Sequence, residues 1–215
     1  MEASISKASE EIARRVIERL STTSGRIIVP IGVSGRHIHM TQDVVESLFG
    51  KGYELKVMRY LSQPGEFAAQ ETVTIVSSTG AAIENVRMLG PTRKFTQIEL
   101  SRSDGLRLGL NLEVRETGDL EGTPGLTIVG PKGTVVLNGG AIMANRHIHM
   151  SPLDAKRFGL TNGQIVRARV GGARGLIFEN VRVRVSERFV LDFHIDTDDA
   201  SAAGVVTGDL AEILV

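Results

Sequence analysis

Cysteine is absent from this chain, and with it go disulfides, catalytic thiols and thiolate metal ligands, so any bound metal must be held by His, Asp or Glu. Tryptophan is absent too, and only 4% of residues are aromatic. With a formal net charge of zero, this argues against a nucleic-acid binder built on a basic face and stacking platforms. No apolar run approaches the roughly 18 to 20 residues of a membrane span, and the N-terminus lacks the apolar core of a secretory signal. The cytoplasm is therefore the expected location. Lysine is the minority cation; the planar fork of the commoner Arg suits phosphate or carboxylate, although an ordinary surface role is the usual explanation for any one Arg. The expected ligand is small and anionic.

What is present is a globular composition, 41% hydrophobic over 215 residues, long enough for one large domain or two small, intimately joined ones. Within residues 1–25, Ile5, Ala8, Ile12, Val16 and Leu20 recur at helical spacing between charges, and Thr-Thr-Ser-Gly ends the run. Residues 3–21 thus read as an amphipathic helix, either packed on its own domain or serving as a docking peptide for another protein. Beyond it the pattern changes to short β-rich runs punctuated by Gly: RIIVPIGV, YELKVMRY, ETVTIVSS, GTVVLNG, GQIVRARV and RFVLDFHI. The main helical readings are TQDVVESLFG and SPLDAKRFGL, opening with Thr41 and Ser151 as candidate N-caps.

An internal repeat organises these elements. SGRHIHMT at Ser34 to Thr41 recurs as ANRHIHMS at Ala144 to Ser151, an offset of 110 residues. Further on the offset is 95: ENVRM at Glu84 to Met88 matches ENVRV at Glu179 to Val183, and Arg93, Asp104 and Gly109 fall on Arg188, Asp199 and Gly204. The first copy therefore carries 15 extra residues, within KGYELKVMRYLSQPGEFAAQE, whose Pro-Gly turn marks a functional loop. The fold class expected is mainly β with short helices, as two related, capped small β-barrel domains.

Side chains alternate faces along a strand, so each H-I-H run puts two imidazoles on one face: His37 with His39, and His147 with His149. One such pair is as well explained by polar residues on a wet strand face. Two pairs at equivalent positions, using four of only five histidines, point to metal instead. The fifth, His194, falls opposite Glu99 at the 95-residue offset. Each copy then offers three donors: His37, His39 and Glu99 in one, His147, His149 and His194 in the other. Three protein ligands with open positions is the pattern of catalytic zinc. Which third donor serves which pair stays open at this point, because the copies could exchange strands.

PIGVSGRHIHMT, NRHIHMSPLDAKRFGL, VRMLGPTRKFTQIELSRSD and HIDTDDA together resemble the phosphate propanoyltransferase (phosphotransacylase) family over nearly all of residues 26 to 215. The resemblance implies an enzyme with two zinc ions that exchanges a short acyl group, propanoyl foremost, between coenzyme A and inorganic phosphate: acyl-CoA and phosphate give acyl phosphate and free CoA. It implies a first barrel from residues 37–144 and a second from 26–36 with 145–215. By the same resemblance the two histidine sets bind zinc, Arg93 binds phosphate, Ser34, Arg87 and Leu89 lie near CoA, and Gln63, Thr117 and Arg184 lie near the reacting groups. Arg59 stands where Lys is usual in the family and Ser201 where Asn is usual, both on the CoA side. Residues 1–25 become an encapsulation peptide for a bacterial microcompartment shell or core in this reading. A homo-oligomer is open; nucleic acid and membrane are not expected partners.

The chemistry wants these residue types. Phosphate is strongly hydrated, the thioester carbonyl gathers negative charge and a thiolate must leave. Zinc at His37, His39 and Glu99 is expected to take the CoA sulfur, since a coordinated thiol is deprotonated. Arg93 can hold phosphate bidentately and aim an oxygen at the carbonyl. Direct attack by phosphate is favoured over an acyl-enzyme, because the chain has no Cys and no GxSxG elbow. Met40 and Met150 read as core. GPKGT at Gly130 to Thr134 lacks the GxxxxGK[ST] spacing and reads as a turn. Two rivals stand beside this reading, a binuclear zinc hydrolase and an assembly module stapled by structural zinc.

Overall fold

Along residues 165–170 the side chains of Val166, Ala168 and Val170 are buried while Ile165, Arg167 and Arg169 are exposed, the period of two that a half-buried strand requires. The computed structural model describes residues 25–215 and, ahead of them, Val16; the rest of the helix expected over residues 3–21 lies outside the described residues. Among the described residues the elements run β1 (Ile27–Ser34), β2 (His37–His39), α1 (Gln42–Phe49), β3 (Val57–Tyr60), β4 (Phe67–Val76), β5 (Ala82–Gly90), β6 (Gln97–Glu99) and α2 (Arg102–Leu108). There follow β7 (Val114–Arg115), β8 (Leu126–Val129), β9 (Thr134–Leu137), β10 (Ala141–Ala144), β11 (His147–Met150) and α3 (Pro152–Phe158). Last come β12 (Ile165–Val170), β13 (Leu176–Val185), β14 (Asp192–Asp196), α4 (Thr197–Ala203) and β15 (Leu210–Leu214). The protein is mainly β with short helices.

Two compact units are present. One holds Ser34–Asn145 with Asp196–Asp198; the other holds the described residues up to Val33, with Arg146–Ile195 and Asp199–Val215. In the second unit six strands close a barrel in the order β1, β14, β11, β13, β12, β15. In the first a curled, half-barrel sheet runs β7, β10, β6, β2, β5, β4, β8, β9, with β3 paired to β4. Each unit repeats one local arrangement: the His-x-His strand lies parallel to one neighbour (β2 to β5, β11 to β13) and antiparallel to another (β2 to β6, β11 to β14). β3 is the product of the inserted stretch. It starts only at Val57, so the strand expected over YELKVMRY is half as long as its hydrophobic pattern predicts. At the start of β4, Phe67 faces Gly90 across the ladder, and its ring occupies the space where a side chain at Gly90 would stand.

Separate apolar clusters fill the units. One is built on Ile38, Met40, Leu48, Ile75, Val86, Met88 and Ile98, the other on Val29, Ile31, Ile148, Met150, Val181, Val183 and Phe193. Each such fully buried side chain contributes roughly 1.5–3 kcal/mol. Met40 and Met150 are core residues, each at most 1% exposed.

Caps differ between the copies. Ser151 heads α3 with a reciprocal capping box to Asp154, and Gly159 ends it in the left-handed region at φ 65°. Thr41 occupies the N-cap of α1, but its hydroxyl caps no backbone N–H; it bonds the side chain of Asp43 instead. Two helices escaped the sequence reading, α2 and α4, because each spans only seven residues and α2 contains Gly105, a poor helix former. The arginine of each RHIH motif clamps the second helix that follows it in the chain. Arg36 Nε and Nη2 reach Asp104 Oδ2 and Oδ1 at 3.1 and 2.8 Å, and Arg146 holds Asp199 by two bonds of 2.8 Å.

Candidate metal centres

Antiparallel pairing sets His37 directly across from Glu99, and, in the other unit, His147 across from His194. Strand alternation then adds His39 and His149 to the same faces. The result is two groups, His37, His39 and Glu99 in one unit and His147, His149 and His194 in the other, with donor atoms all within 4.8 Å of one another in each. Neither group needs a strand exchanged between copies.

In the first group His37 Nδ1 donates to the Gly35 carbonyl at 2.8 Å, which leaves Nε2 to face Glu99 Oε2 at 3.4 Å. An imidazole nitrogen and a carboxylate oxygen at this separation can share one metal ion. Two donors bound to one zinc at ~2.0–2.1 Å in a tetrahedron stand about 3.3 Å apart, so the spacing fits. His39 Nδ1 is buried with no hydrogen-bond partner among the described residues, a second donor kept for a cation. Burial above all, then the charges of His37 and Arg93, hold the His39 imidazole well below its ordinary pKa, against a hydrogen bond with the Leu89 backbone. It is therefore neutral at pH 7, the form that ligates metal. Glu99 is fixed from its other side, Gln97 Nε2 donating to Oε1 at 2.6 Å.

The second group is all imidazole. Its ring centroids are 4.7 to 5.0 Å apart, His147 and His194 stacking at 16°. Phe189 stacks on His149 at 3.8 Å, and the Arg184 guanidinium lies 5.6 Å from the Phe189 ring centre. Asp192 Oδ2 is 3.6 Å from His194 Nε2. Both donor sets suit zinc in charge, atom type and number, three protein ligands each.

The remaining expected residues distribute around these groups. Arg93, half-buried in the first unit, donates from Nη2 to Glu66 Oε1 at 2.7 Å, while its backbone N–H bonds Met40. Arg87 and Leu89 sit on β5 opposite His37 and His39; the Arg87 guanidinium spends Nη1 on the carbonyls of Ala69 and Gln70. Arg184 sits opposite His149 on β13, Ser34 ends β1, Gln63 is buried in the turn before Glu66, and Thr117 is half-buried beside Gly118. Glu66, Gln97, Phe189 and Asp192 were missed by sequence reasoning. Gln97 and Asp192 occupy equivalent places at the 95-residue offset, a signal that was available.

Each group offers three protein donors, one short of the four that close a structural zinc site, which is the donor pattern of catalytic zinc. The profile of the phosphate propanoyltransferase family matches residues 30–206. Relatives bearing that name include one from Thermotoga maritima, 52% identical over 94% of each chain, and one from Lachnoclostridium phytofermentans, 48% identical over 95% of this chain and 97% of its own. A relative from Listeria monocytogenes is 43% identical over 98% of this chain and 95% of its own. This chain belongs to the phosphate propanoyltransferase family and is an acyltransferase.

Proposed function

We propose that the chain transfers a short acyl group, propanoyl foremost, between coenzyme A and inorganic phosphate, with Arg93 holding the phosphate and zinc held by His37, His39 and Glu99 and by His147, His149 and His194. The observation that carries this reading is the placement of Arg93 beside the first donor group, its backbone N–H bonding at 2.8 Å the carbonyl of Met40, the residue that follows His39. Zinc held by these donors supplies a Lewis acid that eases departure of the CoA sulfur as a thiolate.

The chain's own residues do the rest. The Arg93 fork binds two phosphate oxygens by charge-assisted hydrogen bonds and turns a third toward the thioester carbonyl, an orientation effect worth up to several kcal/mol. Phosphate attacks directly, since the chain offers no cysteine and no strained serine elbow for an acyl-enzyme. The phosphate–acyl bond forms as the carbon–sulfur bond breaks, and the proton of the attacking phosphate ends on the CoA thiol. Ser34, Arg87 and Leu89 contact CoA, and Gln63, Thr117 and Arg184 line the reacting groups. Residues 1–25, amphipathic in sequence, dock the enzyme to a microcompartment shell or core protein; deleting them should leave activity intact and abolish encapsulation.

The test is CoA release from propanoyl-CoA and acetyl-CoA, with and without phosphate, on zinc-loaded wild type and on Arg93→Ala of matched metal content. Phosphate-dependent release that the variant loses is the expected result. Release indifferent to phosphate would instead mark a hydrolase, and no release from either protein would end the acyl-transfer reading.

A further inference from the structure

The two third donors differ, a carboxylate in one unit and an imidazole in the other, and so do the residues two positions before them. On β6 the pair is Gln97 and Glu99; on β14 it is Asp192 and His194. Residues two apart on a strand share a face, so each pair presents a donor and a companion to the same group. Gln97 is fully buried and held at both ends of its amide: Oε1 accepts from the Gly118 N–H at 2.8 Å and Nε2 donates to Glu99 Oε1 at 2.6 Å. That leaves Glu99 Oε2 as the oxygen facing His37. Asp192, also buried, sets its carboxylate 3.6 Å from His194 Nε2.

The pairing follows a rule of polarity. Beside a carboxylate donor the companion is an amide, which gives an N–H and no charge; a second carboxylate there would repel it. Beside an imidazole the companion is a carboxylate, attractive to a ring N–H and able to offset the charge of an ion among three neutral histidines. Each donor set thereby carries one carboxylate, as a ligand in the first and as a companion in the second.

We propose that Gln97 is a positioning residue for the first centre, fixing which oxygen of Glu99 faces the ion, and that Asp192 is its counterpart for His194. The inference rests on the reading of these groups as metal sites. Gly118, which anchors Gln97, follows Thr117, so the Gln97 amide also ties that loop to the donor set.

Zinc affinity tests it, with the ion competed against a chromophoric chelator at pH 7.5 on the full chain. Wild type should bind two ions, and Gln97→Leu should hold one of them about 10–100-fold more weakly while keeping the other. A second comparison does not depend on how well Gln97→Leu folds. Glu99→His alone sets an imidazole beside an amide, whereas Gln97→Asp with Glu99→His recreates the β14 pair, and the double variant should bind its weaker ion at least ~10-fold more tightly than Glu99→His alone. Wild-type affinity in Gln97→Leu, or a double variant no tighter than Glu99→His, overturns the positioning role while leaving the metal reading intact. A wild-type chain that binds no zinc overturns both.

Discussion

Arg93 Nη2 lies 2.7 Å from Glu66 Oε1, so the cation assigned to phosphate already holds an anion of the chain. Glu66 lies in the segment of the first copy that contains its 15 extra residues, and the turn that presents it is closed by backbone bonds from Leu61 to Glu66 and from Glu66 to Gln63. Both side chains are partly exposed, at 25% and 35%, and such a pair is worth roughly 0–1 kcal/mol. A phosphate dianion can therefore displace the carboxylate at little cost. Glu66→Gln, which keeps an acceptor and removes the charge, should lower KM for phosphate by about 2–10-fold with a smaller change in kcat. Steady-state kinetics over a range of phosphate concentrations decides it; a raised KM would mean that Glu66 stays in place and helps to bind phosphate.

Arg36 and Asp104 carry stability rather than chemistry. Asp104 is almost fully buried and its remaining hydrogen-bond donor is the Ser101 backbone, so losing the arginine leaves a desolvated carboxylate short of partners. Arg36→Ala should cost about 1–3 kcal/mol, reduced by the partial exposure of Arg36. Denaturant midpoints measure it, and zinc content per chain should be unchanged. An undisturbed midpoint would show the clamp to be idle.

The donor groups were legible because the signal needs no side-chain detail: two His-x-His pairs at one offset and a third position at another, in a fold whose antiparallel register turns equivalent positions into cross-strand neighbours. Glu66 was not legible, since nothing in a loop's composition says which cation it will face. Gln97 and Asp192 share an offset but not a chemistry, and their common role shows only when each is seen against its neighbour. Thr41 looked like a cap and is one by backbone alone, because Asp43 takes its hydroxyl. The half-barrel shape of the first sheet likewise depends on which strands meet at its edges, which hydrophobic alternation does not encode.

His39 gives the metal-free chain a pH dependence of definite sign. Its folded pKa lies well below 6.5, so as pH falls through about 6.5 the unfolded chain takes up a proton that the folded chain refuses. The stability contributed by the neutral ring is present in full above pH 6.5 and is lost as pH falls toward the folded value. Urea midpoints of metal-free wild type should therefore drop between pH 7 and 5, and His39→Gln should drop less over the same interval. Equal slopes in the two proteins would remove His39 as the source.

Gly32, on β1, meets Asp192 from the strand next to β14 in the barrel. A Cβ at this position would stand 2.8 Å from Asp192 Oδ1 and 2.9 Å from Oδ2, too close for the carboxylate to keep its place. The side chain of Asp192 is short and buried, so it must turn away from His194 to relieve the contact. The left-handed region plays no part here, and Gly32→Ala acts through the carboxylate rather than through backbone strain. The substitution should weaken zinc at the three-histidine group by about 10-fold and leave the Glu99 group at wild-type affinity. Chelator competition that resolves the two ions measures both effects in one titration. Equal weakening of both ions would trace the effect to general unfolding, and no weakening would show that His194 holds its place without Asp192.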